Sequence, residues 1–373
     1  MKPEIKNLKK AAQRIKAAVK KKEKIILYGD ADFDGISSVI ILKESIENLG
    51  GKVSDVYFPD RETEGYGLNK DALNYLKHYA PALLVVLDCS IGNFEEVDLA
   101  KKMGFEVIII EHHEPLKKLP LASVIVNPRQ KGEKYPFKDF ATAGIAFKLA
   151  EAILNGKLKS SLRNNFLELT ALATLADIMP QNADNAEFLK EGIASLKTTF
   201  RPGLKVFSES PQKIISACHA GSTENHINEC YLLLTAISVK KAEALAQELQ
   251  EKAYAKQMRI REIVSQIERM VFKKPEEMII FEGANNWPIL MLGPSASRIC
   301  QTFKKPVFLY SQKRTYCQGT VRTPSGIDGV KAMIHCSRFL DNYGGHPRAA
   351  GFRTQKERLE EFKSCLIKYF KKL

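Results

Sequence analysis

Apolar residues recur along the chain in two alternating rhythms. Residues 3–22 place Leu8, Ala11, Ala12, Ile15 and Val19 at helical spacing among lysines, the mark of an amphipathic helix. Lys24–Tyr28 is a short apolar run that ends at Gly29, a buried-strand pattern. A helix pattern follows over 36–49 and stops before Gly50-Gly51. Strand patterns at Val53–Phe58, Ala82–Leu87, Phe105–Ile110 and Ser123–Val126 alternate with helix patterns at Asn69–Tyr79 and Phe94–Met103. This alternation predicts an α/β fold, a parallel sheet with helices on both faces.

The pattern then turns helical over 143–155, 160–178 and 185–197. Residues 239–273 contain neither Gly nor Pro, which predicts one helix about 50 Å long. Its stripe of Ala242, Leu245, Ala246, Leu249, Ala253, Met258 and Ile263 is an intramolecular packing face or an oligomer seam, with a homo-trimer as one form of the latter. Met278–Phe281 and Ile289–Leu292 read as strands that open a second unit. A helix at 295–304 and strands at Pro306–Tyr310 and Cys317–Arg322 follow. The expected organisation is a basic N-terminal helix (1–23), an α/β domain (24–198), a helical connector (199–275) and a smaller C-terminal α/β domain (276–373). A chain of 373 residues has room for two such domains.

Composition narrows the class. Hydrophobic residues make up 45% and charged residues 27%, as in globular domains. No apolar run reaches the roughly 18 residues of a membrane span. The Lys-rich N-terminus leads into no apolar segment, so no secretory signal is expected. The net charge of +14 is concentrated at the ends, with ten Lys/Arg against Glu4 and Glu23 in residues 1–24. Either a polyanion partner or a solvated lysine face accounts for it. The seven cysteines are scattered with no C-x-x-C pair, which predicts reduced thiols in a cytoplasmic protein. Cys218, His219, His226 and Cys230 fit no common structural zinc spacing.

Tyr28-Gly29-Asp30-Ala31-Asp32-Phe33-Asp34-Gly35 joins a strand pattern to a helix pattern. Ligands of open α/β sheets sit at such strand ends. Three carboxylates within five residues repel one another unless a cation offsets them; the alternative is an acidic surface turn. Asp88 closes the strand Ala82–Leu87, Glu111-His112-His113 closes Phe105–Ile110, and Asp177 ends an apolar helix. These ends converge on one rim of a parallel sheet. Mixed carboxylates and imidazole suit Mn²⁺, with Mg²⁺ or Zn²⁺ as alternatives. Two ions about 3.5–4 Å apart would serve phosphoester hydrolysis.

At this point the chain resembles the DHH phosphoesterase superfamily, in its RecJ-like group with a C-terminal DHHA1 domain. Gly29-Asp30-Ala31-Asp32-Phe33-Asp34-Gly35 is similar to the first family motif, Asp88 to the second and Asp177 to the fourth. Glu111-His112-His113 stands where the family has Asp-His-His. Arg61 with Gly65-Tyr66-Gly67-Leu68, and Asn127-Pro128, also fit RecJ-like spacing. Ser295-Ala296-Ser297-Arg298 resembles the family's A-S-R segment. Gly344-Gly345-His346-Pro347-Arg348-Ala349-Ala350-Gly351 resembles the DHHA1 signature.

The resemblance implies a metal-dependent phosphodiesterase. Asp30, Asp32, Asp34, Asp88, His112 and Asp177 would hold two divalent ions, Mn²⁺ preferred and Mg²⁺ as an alternative. His113, with Asp34 and Glu111, would serve catalysis. Arg61, Ser295, Arg298, Arg322, Gly344, Gly345, His346 and Arg348 would contact nucleic acid; a tight turn is the alternative use of the two glycines. Glu111 keeps the family's charge and adds a methylene, and the other ligands are intact.

The expected activity is a single-strand-specific exonuclease on DNA, RNA or both, releasing nucleoside monophosphates in repair or replication. Compact length and Lys-rich ends resemble archaeal RecJ-like nucleases, which implies 3′→5′ polarity; bacterial RecJ runs 5′→3′. That group also implies a Hef-like repair helicase–nuclease or replication factors as partners. Two alternatives remain: a small-substrate phosphodiesterase for oligoribonucleotides, cyclic dinucleotides or phosphoadenosine phosphate, and a non-catalytic replication or repair adaptor.

Overall fold

The structure, a computed structural model, describes residues 4–115, 118–208 and 210–372, and of His346 the backbone alone. Two compact units divide the chain, Met1–Ala253 and Tyr254–Leu373.

The first unit opens with α1 (Leu8–Lys20), β1 (Ile25–Gly29), α2 (Phe33–Asn48), β2 (Asp55–Tyr57), α3 (Lys70–Leu76), β3 (Ala82–Leu87), α4 (Phe94–Lys102), β4 (Phe105–Ile110) and β5 (Val124–Val126). All five strands are parallel, in the order β2-β1-β3-β4-β5. Side chains alternate between two cores, as strand geometry requires. Leu27, Val85, Leu87, Ile108 and Ile110 face α1, α2 and the later helices, whereas Tyr28, Leu84, Val86, Val107 and Ile109 face α3 and α4. Burial on both faces explains why these strands read as continuous apolar runs.

Helices α5 (Thr142–Leu154), α6 (Ser160–Ala176) and α7 (Ala183–Ser195) follow, then short α8 (Pro202–Lys205) and α9 (Pro211–Cys218). A two-strand hairpin, β6 (Thr223–Glu224) and β7 (Ile227–Asn228), and α10 (Glu229–Leu234) complete this part. The long helix α11 runs unbroken over Val239–Phe272. Ala242, Ala246 and Leu249 belong to the first unit's core, and Ile263, Ile267 and Val271 to the second's. Most of the stripe therefore packs within the chain, whereas Met258 is exposed.

The second unit continues with β8 (Ile280–Ala284), α12 (Ile289–Phe303), β9 (Val307–Gln312), β10 (Tyr316–Arg322), α13 (Gly329–His335), β11 (Asn342–His346), β12 (Ala349–Gln355) and α14 (Leu359–Phe370). The sheet order is β11-β12-β10-β9-β8, with only β8 and β9 parallel. Phe281, Phe308, Phe352 and Phe362 fill one face, and Trp287, Leu292, Ile299 and Leu309 the other.

Three expectations are corrected here. Ile289–Leu292 is the first turn of α12, not a strand; four apolar residues satisfy either period. Gly344 and Gly345 lie inside edge strand β11, opposite Gly351 and Ala350, rather than in a tight turn. A Cβ on Gly345 would sit 2.6 Å from the Ala349 carbonyl oxygen, and its φ is +129°, so only glycine fits. Finally, Cys336 and Cys365 form a disulfide, their Cα atoms 5.9 Å apart. Packing of α13 against α14 brings together residues that sequence spacing does not link. The other five cysteines are buried thiols.

Candidate metal centre

The first unit gathers its acids at the carboxyl rim of the sheet. Asp30 follows β1 directly. Asp32 caps α2, accepting the Gly35 amide at 3.0 Å. Gly35 is required by close approach: a Cβ there would lie 2.4 Å from the Asp30 carbonyl oxygen. Asp34, in the first turn of α2, accepts the amides of Thr142 and Ala143 at 2.7 and 2.8 Å. One carboxylate thereby satisfies two orphan donors at the start of α5. Asp88, at φ +64°, accepts the Thr142 hydroxyl at 2.9 Å.

From β4, Glu111 and His112 are buried and His113 is partly exposed. His112 Nε2 lies 3.4 Å from both Asp88 Oδ1 and Asp177 Oδ2. Asp177 ends α6. Glu111 Oε1 lies 2.7 Å from His113 Nδ1, and the Asn127 side-chain amide donates to the His113 carbonyl at 2.9 Å. The hydroxyl of Tyr66 donates to the Asp88 carbonyl at 3.1 Å.

Donor atoms fall into three overlapping groups, each within 4.8 Å: Asp88, His112 and His113; Asp34, His112 and Asp177; Asp30, Asp32 and Asp88. All six sequence-derived ligands are thus brought together. Glu111 stands behind His113 and joins none of these groups. Arg61, expected on nucleic acid, donates instead to Asp30 (Nε to Oδ1 2.8 Å) and to Asp32 (2.8 Å), and also pairs with the second Asp30 oxygen. Thr142 and Ala143 carry no sequence signal of a site; they were reachable only through the packing of α5 on α2.

Electrostatics tests whether a cation fits. Burial, then the neighbouring Asp32, raises Asp30 to about 6, and burial with Asp32 raises Asp177 to about 7. Burial and facing acids push Asp34 and Asp88 well above the carboxylate range. Asp32 alone is lowered, because Arg61 and the Gly35 amide outweigh its burial. Burial holds His112 down at about 3, a neutral imidazole. Burial opposes charge on His113 too, but the Glu111 carboxylate outweighs it and raises His113 to about 9. Among the described residues, the buried Asp177 Oδ2 has no hydrogen-bond partner. Crowded acids, one neutral imidazole and an orphaned oxygen fit a hard-to-borderline divalent cation.

In the second unit, Ser295 is buried and donates to the Met291 carbonyl of its own helix at 2.7 Å. Arg322 donates to Ser297 Oγ at 3.1 Å and to Thr320 Oγ1 at 2.9 Å. Arg298, Gly344, Gly345 and Arg348 are exposed. The side chain of His346 lies outside the described atoms. Ser295 is therefore a helix-backbone partner, whereas Arg298 and Arg348 are free to meet solvent.

A carboxylate–imidazole cluster on the rim of an open parallel sheet defines a metal-binding α/β domain. Residues 24–174 match the DHH family, N-terminal domain, and residues 276–372 match the DHHA1 domain. The chain therefore carries a DHH N-terminal domain followed by a DHHA1 domain. It is 32% identical to the single-stranded-DNA-specific exonuclease RecJ of Bacillus subtilis (strain 168), over 97% of this chain and 48% of that protein. It superposes on the crystal structure of exonuclease RecJ bound to manganese with a TM-score of 0.83 and 28% identity, covering 99% of this chain and 96% of that one. RecJ from Thermus thermophilus in complex with Mn²⁺ gives 0.83 and 26%, over 99% and 55%. The chain spans about half the length of the RecJ proteins of B. subtilis and T. thermophilus.

The pH dependence of metal binding follows. Folded Asp30 and Asp177 keep protons up to about 6 and 7, whereas unfolded carboxylates release theirs near about 4. The metal-free fold therefore binds more protons than the unfolded chain in that window, and loses stability as pH rises through it. A divalent ion displaces the same protons. Thermal melts with and without Mn²⁺ should show a metal-induced rise in Tm that grows from pH 5 to about pH 8. A shift independent of pH would contradict this assignment.

Proposed function

We propose that the chain is a metal-dependent exonuclease that hydrolyses phosphodiester bonds at an end of single-stranded DNA. The observation that carries this reading is the convergence of Asp30, Asp32, Asp34, Asp88, His112 and Asp177 on one sheet rim, in a chain similar throughout to RecJ. These six residues would hold two divalent ions, with Mn²⁺ preferred because an imidazole joins the carboxylates. Bound ions of this kind ionise water near neutral pH and neutralise charge on the phosphoryl oxygens.

The chain's own residues supply the rest. His113 is anchored through Nδ1 on Glu111 and stays protonated at neutral pH. Its Nε2 proton is then available to a phosphoryl or leaving oxygen. The extra methylene of Glu111 spans the distance to His113, so its charge acts on the imidazole. Arg61 serves as the counter-ion of Asp30 and Asp32 in the metal-free fold. In the second unit, exposed Arg298 and Arg348 and the open edge strand at Gly344-Gly345 suit phosphate oxygens. Edge strands present free N–H groups, and no described atom lies within 4 Å of a Cβ built on Gly344.

The two indications of polarity diverge. The resemblance to archaeal RecJ-like nucleases implies 3′→5′, whereas the similar proteins above are bacterial RecJ, the group with the opposite direction. Labelled strands decide. Single-stranded DNA and RNA, labelled in turn at each end, are incubated with Mn²⁺ beside Asp88→Ala. The proposal expects a ladder shrinking from one end only, mononucleotide release from that end, and loss of activity in the variant. The labelled end that survives gives the direction. Intact long strands would reject the exonuclease reading in favour of a small-substrate enzyme or an adaptor.

The Glu111–His113 pair makes a separate prediction. Glu111→Gln removes the charge that raises His113 to about 9. The alkaline limb of the pH–rate profile should move to lower pH, and kcat at pH 8 should fall by roughly a hundredfold. An unmoved limb would remove His113 from proton transfer.

A further inference from the structure

The helix that delivers Asp177 ends in an unusual way. Ile178 N–H donates to the Leu175 carbonyl at 3.2 Å, and Met179 N–H reaches back to the Thr174 carbonyl at 3.0 Å. This is the closing pattern that places one residue, here Ile178, in the left-handed conformation, and glycine is the usual occupant. Ile178 has φ +55°. A β-branched side chain there is a steric outlier. Such strain is retained at functional sites.

Packing offers no compensation. Ile178 is 89% exposed, so burial against the fold is not why isoleucine stands there. Its neighbour Asp177 is 3.4 Å from His112 across the cluster. An apolar side chain thus projects into water one residue away from a candidate metal ligand. Sequence patterning makes it the last residue of the helix pattern over 160–178, an apolar position like the core residues before it.

Resting on the nuclease reading above, we propose that Ile178 is a substrate-positioning residue that packs against the apolar face of a nucleobase of the strand held at the metal centre. Bases of a single strand expose flat apolar faces that protein side chains cover at little cost in sequence preference. Contact with a base takes the side chain out of water, which gives the isoleucine a use that glycine lacks. The contact is made by bound strand in ground and transition states alike, so it acts on KM and leaves kcat nearly unchanged.

The test uses the full chain with Mn²⁺ and end-labelled single-stranded DNA, comparing wild type with Ile178→Gly, Ile178→Asn and Ile178→Leu. Glycine and asparagine relieve the backbone strain, so both should raise Tm. Both should also raise KM about tenfold, the scale of one buried aliphatic side chain, with kcat within about twofold. Leucine should restore KM. A residue that merely ends the helix would raise Tm on replacement by glycine and leave KM unchanged, and that result overturns the proposal. Wild type that neither binds nor cleaves single strands rejects the nuclease reading first, and the proposal falls with it.

Discussion

Asp34 is buried beside Asp88 and Asp177, and its two oxygens accept the first amides of α5. Much of the first unit depends on that arrangement. Buried carboxylates repel one another, and each needs a donor or a positive charge. The start of α5 serves Asp34, Thr142 serves Asp88, and Arg61 serves Asp30 and Asp32. Asp177 Oδ2 is left without a hydrogen bond among the described residues. Glu111 Oε2 is likewise unpartnered among the described residues, and the facing acids raise Asp34 and Asp88, so the cluster is short of the positive charge a divalent cation would bring.

The same constraint orders the fold around the rim. Gly35 lets the first turn of α2 press against the Asp30 backbone, which aims Asp32 and Asp34 inward. Asp88 takes a positive φ as the chain leaves β3. Glu111 directs its charge at His113, which separates a neutral candidate-ligand imidazole from a protonated one only one residue away. Two adjacent histidines thus take opposite protonation states, because burial dominates at His112 and a hydrogen-bonded carboxylate dominates at His113.

Much of this was legible in the sequence. Buried parallel strands advertise themselves as apolar runs, and acids at the ends of such runs share a rim, so the convergence of the acids and histidines was readable from spacing, whereas the set of six candidate ligands came from the family resemblance. Arg61 was not, since its pairing with Asp30 is made across a loop. Thr142 was hidden because its role comes from where α5 starts. Ile289–Leu292 misled because four apolar residues fit a helix as well as a strand. Ser295 fits the family motif, yet its hydroxyl turns back on its own helix. Ile178 was overlooked because patterning marks apolar residues as core, and only the backbone angle and exposure single it out.

The central claim is that the rim holds a pair of divalent ions. Titrating the metal-free protein with Mn²⁺, and following electron paramagnetic resonance of the bound ions, tests it most directly. Two tightly held ions per chain should appear with the spectrum of a coupled pair, since paired catalytic metals lie about 3.5–4 Å apart. Asp88→Asn should abolish the coupling. Uncoupled Mn²⁺, or binding unchanged by that substitution, would contradict it.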